Sequence, residues 1–347
     1  MRRRELAEIA VAAALVGAAA LVHVLDAPAV AQFVVAGLAI AFLARLVGAS
    51  TEQLGGRLGS SAAGAVQSAL GNLPELFIAL FALHHGLVRV VQAALIGSVL
   101  ANSVLVLGLA FVAGGLRHGT QTFDTPRARI LATLTMLAAA TLSVPTFAHQ
   151  FHSPAARHEQ ALSLICAGVL LAIFVLTLPG LLRGILGDEV PEPPRWSFAQ
   201  TLAVLGGAAG AAALVSDWFV GALTPAIQVL HMSQDFAGLV VVAIAGNAVE
   251  NVVGLQLARR DRLDFAISVI VNSSLQVALA LTPILVFASL LFAATLTLVF
   301  PTLLAISLLF AAVLGALVIV DGESTWEEGA ILVGLYVVIA ASFWWGA

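Results

Sequence analysis

The sequence predicts an all-α polytopic membrane protein made of two related halves. Three observations lead there. Of its 347 residues, 61% are hydrophobic and 10% charged, whereas soluble domains sit near 45–50% apolar and 25% charged. The apolar residues fall in runs of about 20, the length of a helix crossing a bilayer. They do not form the ten-residue alternating segments of a membrane barrel. Third, two apolar runs carry the same polar string, Gly71-Asn72-Leu73-Pro74-Glu75 and Gly246-Asn247-Ala248-Val249-Glu250. Helices suit the setting because backbone polar groups in lipid must be satisfied without water.

Taken in order, the runs give about eleven spans: 6–25, 29–48, 62–84, 87–114, 128–147, 161–182, 198–220, 236–258, 264–290, 296–320 and 327–346. Met1-Arg2-Arg3-Arg4 precedes the first run like a signal peptide, but no small-residue cleavage site follows, so a retained helix is expected. All basic residues are arginines. With the N-terminus inside, only Arg89 and Arg157 fall outside, which satisfies the positive-inside rule and puts the C-terminus outside. Residues 183–197 hold Asp188, Glu189, Glu192 and three prolines, and read as an extended cytoplasmic linker. The expected organisation is an N-terminal helix (1–28), a first five-helix repeat (29–182), the linker, and a second five-helix repeat (198–347). Short loops and the absence of an organelle signal suggest a prokaryotic inner membrane. Cys166 lies alone in an apolar run, which excludes an intrachain disulfide and suits a packed small residue. Net charge is −4. No nucleic-acid partner, cofactor or enzymatic activity is expected, and the sequence leaves homo-oligomerisation open.

The repeat carries the chemistry. A charged side chain at the bilayer centre costs about 2.5–3.5 kcal/mol even on lenient scales, so an intramembrane carboxylate is a functional hypothesis from the outset. Here there are two at matched positions. Glu75 to Ser98 spans the same number of residues as Glu250 to Ser273. With an odd helix ahead of two five-helix repeats, the second repeat enters the membrane inverted, a common plan for secondary transporters.

Hard divalent cations take oxygen ligands. Glu75 and Glu250 offer charge. Asn72 and Asn247 lie one helical turn before them, on the same face. Ser98, Asn102, Ser273, Ser274 and Gln276 offer neutral oxygens, and Gly71, Gly246 and Pro74 weaken the helices so that backbone carbonyls come free. Without Cys or His at ligand spacing, softer metals are disfavoured. An empty carboxylate pair at low dielectric is unfavourable while ionised, so protons and a divalent cation compete for it. The minimal exchange is one Ca²⁺ for two H⁺. Serine and asparagine also bind transmembrane helices together without any transport role, which suffices for Asn102 or Ser274 taken singly. It does not explain two carboxylates.

At these residues the chain resembles the calcium/cation–proton exchanger family of the cation/Ca²⁺ exchanger superfamily. The likeness rests on Gly71–Glu75 with Leu76-Phe77-Ile78-Ala79, on Gly246–Glu250, and on Ser273-Ser274-Leu275-Gln276. Further strings are Ser50-Thr51-Glu52 with Gly59 and Gly64, and the acidic Asp321–Gly329 before the last helix. The resemblance implies eleven helices in two inverted repeats and Ca²⁺ efflux driven by inward H⁺, with Glu75 and Glu250 as central ligands and proton carriers. Two positions depart from the family pattern. Asn251 stands where histidine is common and cannot titrate, and Asn272 stands where glycine is usual. Pro74 is more like the sodium/calcium exchanger relatives. Competing readings are a Na⁺-coupled Ca²⁺ exchanger, a Na⁺/H⁺ antiporter and, less favoured, a cation channel.

Glu52 and Asp217, the latter expected at the outer end of the seventh span, are candidate vestibule residues that gather cations. His84 and His85 read as solvated loop residues, and Trp344 and Trp345 as interfacial anchors. Glu327 and Glu328 suit the acidic first turn of the final helix.

Overall fold

The computed structural model describes residues 3–58, 70–186 and 195–346. Residues 62–69 of the third predicted span, Gly59, Gly64 and most of the acidic linker lie outside the described residues. Within them the chain is helical apart from one two-residue β bridge and its loops, so the all-α membrane class is correct. In order the helices are α1 (Arg3–Val24), α2 (Ala29–Leu58), α3 (Leu73–His84), α4 (Val88–His118), α5 (Thr125–Gln150), α6 (Glu159–Leu186), α7 (Phe198–Leu230), α8 (Gln234–Gly246), α9 (Ala248–Ala258), α10 (Leu263–Leu291), α11 (Thr302–Ile319) and α12 (Trp326–Phe343). Nine of the described helices are long and apolar enough to cross a membrane, and the bent pair α8–α9 makes a tenth candidate. Helix α3 is a shorter apolar helix.

Packing groups these helices into two compact units, residues 1–86 with 178–232, and residues 87–177 with 233–347. Each unit draws on both halves of the sequence. The first unit centres on α2 against α7. Phe33 stacks on Phe219 with ring centroids 4.6 Å apart, and a Cβ on Gly37 would meet the Phe219 ring at 3.3 Å. Helices α1 and α3 pack on this pair. The buried hydroxyls of Ser50 and Thr51 donate to the carbonyls of Leu46 and Gly48, so neither leaves an unmet donor in the apolar interior. Helix α7 begins at a capping box in which Ser197 and Gln200 satisfy each other's backbone N–H. It runs ten residues beyond the predicted end at 220, because Ala222, Leu223, Ala226, Ile227, Val229 and Leu230 continue the apolar run and Pro225 is tolerated inside it. Asp217 therefore lies within the helix and not at its end.

The second unit is held by close backbone crossings at glycine. A Cβ on Gly97 of α4 would lie 2.3 Å from the Leu239 carbonyl oxygen of α8, and one on Gly238 would lie 2.5 Å from that of Val90. Gly108 of α4 and Gly329 of α12 are related in the same reciprocal way, at 2.8 and 2.5 Å. In lipid, such close approach replaces the hydrophobic drive that water would supply. Arg89 grips Asp235 through two hydrogen bonds, Nη2 to Oδ2 at 2.7 Å and Nε to Oδ1 at 3.3 Å, tying the starts of α4 and α8. Wide π-helical turns interrupt α4 at Ala101–Val106, α8 at Ala237–Val242 and α10 at Val277–Leu281. Strand β1 (Gln121–Thr122) pairs antiparallel with β2 (Glu323–Ser324). Thr325 and Glu328 then form the capping box of α12, so Glu328 does serve its first turn.

The tenth predicted span is corrected at its start. Helix α11 begins at Thr302, not at 296. Residues 292–301 are non-helical, with Leu296, Leu298 and Phe300 alternately buried. Side chains replace the missing helical bonds. The N–H groups of Leu296, Leu298 and Phe300 donate to the hydroxyls of Ser289, Ser163 and Thr146, each at 2.9 Å. Gln92 Nε2 donates to the carbonyls of Thr297 and Val299 at 2.9 and 3.0 Å. A buried non-helical stretch persists only where its polar groups are met in this way.

Candidate functional site

The second polar string is a break between helices. Gly246 ends α8, Asn247 leaves the helical region with φ −96° and ψ 17°, and α9 departs at 64°. Gly246 and Asn247 are buried here, and the Asn247 side chain takes over part of the helix's own bonding. Its Nδ2 donates to the Ala243 carbonyl at 2.9 Å, the local competition through which asparagine disfavours a helix interior.

That bond fixes the orientation of a polar cluster in the second unit. Since Asn247 Nδ2 faces a carbonyl and also donates to Ser98 Oγ at 2.9 Å, its Oδ1 must face the other way. There it accepts from Asn102 Nδ2 at 2.9 Å and from Ser273 Oγ at 3.2 Å. Asn102 Nδ2 also donates to Ser273 Oγ at 3.0 Å. With both nitrogen hydrogens used, the Asn102 Oδ1 points away and has no hydrogen-bond partner, although it is buried. The four side chains are 0–5% exposed. Asn102 sits within the π turn of α4, the kind of local widening often found at functional sites.

Four predicted residues, Ser98, Asn102, Asn247 and Ser273, are thus brought together from three helical stretches. Glu250 lies in the first turn of α9, one turn after Asn247, and is half-buried. Gln276, near the start of the π turn of α10, is also half-buried. Ser274 turns instead toward the Val99 carbonyl at 3.5 Å.

The first polar string belongs to the first unit. Gly71 and Asn72 are half-buried and precede α3, Pro74 occupies its first turn, and Glu75 follows it, 9% exposed. Proline suits a helix start because the missing N–H is one the helix leaves unpaired there. The positive end of the helix dipole favours a carboxylate at that place. Both glutamates thus stand in the first turn of a helix that begins at an Asn. Among the described residues, no three His, Cys, Asp or Glu side chains cluster as a metal site. Of the proposed vestibule residues, Glu52 is exposed on α2, and Asp217 Oδ1 lies 3.5 Å from His85 Nε2.

Asn251 and Asn272, the two departures from the family pattern, each also bury an amide oxygen without a partner, as does Gln121 on β1.

A membrane-embedded helical protein with one Gly-Asn-x-x-Glu string per half belongs, by fold and site, among the ion transporters rather than the enzymes. The chain is a member of the sodium/calcium exchanger protein family, whose model matches residues 28–182 and again 200–345. A Ca²⁺/H⁺ antiporter from Synechocystis is 32% identical over 340 residues, covering 90% of each chain. The Ca²⁺/H⁺ antiporter ChaA of Bacillus subtilis is 32% identical over 328 residues, covering 91% of this chain and 92% of the relative. The solved structure of native YfkE superposes with a TM-score of 0.84 at 29% identity, covering 97% of this chain and 99% of that one.

Proposed function

We propose that this chain is a secondary active antiporter that exchanges Ca²⁺ for H⁺ by alternating access. The observation that carries the reading is the repeated string, which puts a carboxylate in the first turn of a membrane helix in each half. The antiporter relatives lend it support, since both match this chain over nearly its whole length.

In this reading Glu75 and Glu250 bind Ca²⁺ when ionised and protons when it leaves. Asn72, Asn247, Ser98, Asn102, Ser273 and Gln276 supply neutral oxygens, and the backbone at Gly71 and Gly246 supplies carbonyls. Ca²⁺ takes six to eight oxygens, more than two carboxylates provide, so a mixed set is chemically apt. The loaded site and the doubly protonated site are each close to neutral and can cross a low-dielectric barrier. The bare dianion is held back by its desolvation cost. Coupling then follows from exclusion, one Ca²⁺ for two protons. The arginine distribution supports an N-terminus in the cytoplasm and a C-terminus outside, and the short loops suit a prokaryotic inner membrane. In the same reading Glu52 and Asp217 serve as vestibule residues that collect cations.

The test is calorimetric. Ca²⁺ added to the purified protein in two buffers of different ionisation enthalpy should release about two protons per ion bound, and apparent affinity should rise with pH, since higher pH removes the competitor. Binding with no proton release at any pH between about 5 and 9 overturns the competition.

A further inference from the structure

Four buried amide oxygens among the described residues of the second unit have no hydrogen-bond partner: Gln121 Oε1 on β1, and Asn102 Oδ1, Asn251 Oδ1 and Asn272 Oδ1 on helices. The last three concern the site. A buried carbonyl left unmet is costly, and native interiors hold few of them. These three stand on elements that pack against one another in every pairing: the π turn of α4, α9, and α10. Asn251 follows Glu250 directly. It shares a face of α9 with Gly254, and a Cβ on Gly254 would lie 2.6 Å from the Ile270 side chain. Asn251 therefore stands on the side of α9 turned to α10. Asn272 is 6% exposed and precedes Ser273, the partner of Asn247 and Asn102. One turn further along the same face of α10 is Gln276.

We propose that Asn251 and Asn272 are specificity-determining ligands, whose amide oxygens extend the neutral oxygen set beside Glu250 and favour large divalent cations over small ones. This rests on the Ca²⁺/H⁺ reading and deepens it. Amide oxygens are hard donors that add coordination number without adding charge. Ca²⁺ and Sr²⁺ use that number, taking six to eight oxygens at 2.3–2.6 Å. Mg²⁺ holds six at 2.0–2.1 Å and keeps several waters, so further protein oxygens gain it little. The missing partner of each amide is then the transported ion itself.

The experiment is cation-dependent thermal stabilisation of the full-length protein in detergent, with Ca²⁺ and Mg²⁺ titrated separately. Asn251→Leu and Asn272→Leu keep the side-chain size and remove the oxygen. Each is expected to raise the Ca²⁺ midpoint about tenfold, the effect of one lost interaction of ordinary strength, while the Mg²⁺ midpoint changes less than about twofold. The melting temperature without cation should stay level or rise, because an unmet polar group has gone. A packing role would lower it and leave the Ca²⁺ to Mg²⁺ ratio unchanged, and that outcome overturns the proposal. Should a leucine variant fail to fold, Asn251→Ser and Asn272→Ser keep a small polar group and must still narrow the ratio; an unaltered ratio again overturns the inference. If the unsubstituted protein shows no Ca²⁺ stabilisation at any pH, the antiport reading fails first and this proposal with it.

Discussion

Glu250→Gln is expected to lower Ca²⁺ exchange by at least about 100-fold while the protein still folds. Glutamine keeps the shape and one carbonyl oxygen, so α9 can still start at the Asn247 break. It loses the charge. A charge-assisted contact contributes on the order of 1.5–3 kcal/mol, and each 1.4 kcal/mol is a factor of ten in affinity. The variant also loses a proton site, so turnover suffers as well as binding. A helper role would behave differently, raising the Ca²⁺ concentration needed but leaving the maximal rate intact. The paired measurement is exchange in vesicles together with the melting temperature in detergent. Full exchange in a folded Glu250→Gln protein would remove Glu250 from the mechanism.

Asn247→Leu should have the largest effect on stability. Asn247 is the hub to which Ser98, Asn102, Ser273 and the Ala243 carbonyl are all tied. Leucine fills the volume but leaves one of the two Asn102 N–H groups without its acceptor and takes a partner from the hydroxyls of Ser98 and Ser273, all in an almost fully buried place. Each buried polar group left unmet costs about 1–3 kcal/mol, so a loss of several kcal/mol is expected, visible as a large drop in melting temperature or in recovery of folded protein. Asn102→Leu should cost less, because it removes two bonds and leaves the Asn247 bonds to Ser98 and Ala243 in place. Equal losses for both would mean that the cluster melts as one unit with no hub.

The membrane class, most helices and the polar strings could be read from the sequence because each depends on local composition. The helix break at Asn247 was legible too, since Gly246 and Asn247 are poor helix formers side by side. What could not be read depended on partners far along the chain. Nothing near residues 292–301 announces that Thr146, Ser163 and Gln92 will satisfy their backbone, so the apolar run reads as helix from 296, six residues before α11 begins. Helix α7 runs past its expected end at 220 and holds Pro225 within it. The π turns leave no composition signal at all. In the site, Ser98, Asn102, Asn247 and Ser273 were legible as polar residues in apolar runs, but not the orientation of each amide. That follows from a single bond, Asn247 Nδ2 to the Ala243 carbonyl, and it leaves the Asn102 oxygen without a partner.

The central claim is proton-coupled Ca²⁺ exchange, and its most direct test is uptake by proteoliposomes loaded at acid pH and diluted into alkaline medium, with no Na⁺ present. Ca²⁺ should enter against its own gradient, stop when an ionophore collapses the pH difference, and dissipate that difference as it enters. Uptake that ignores the pH gradient and starts only when a Na⁺ gradient is supplied would contradict the account and assign the coupling to sodium.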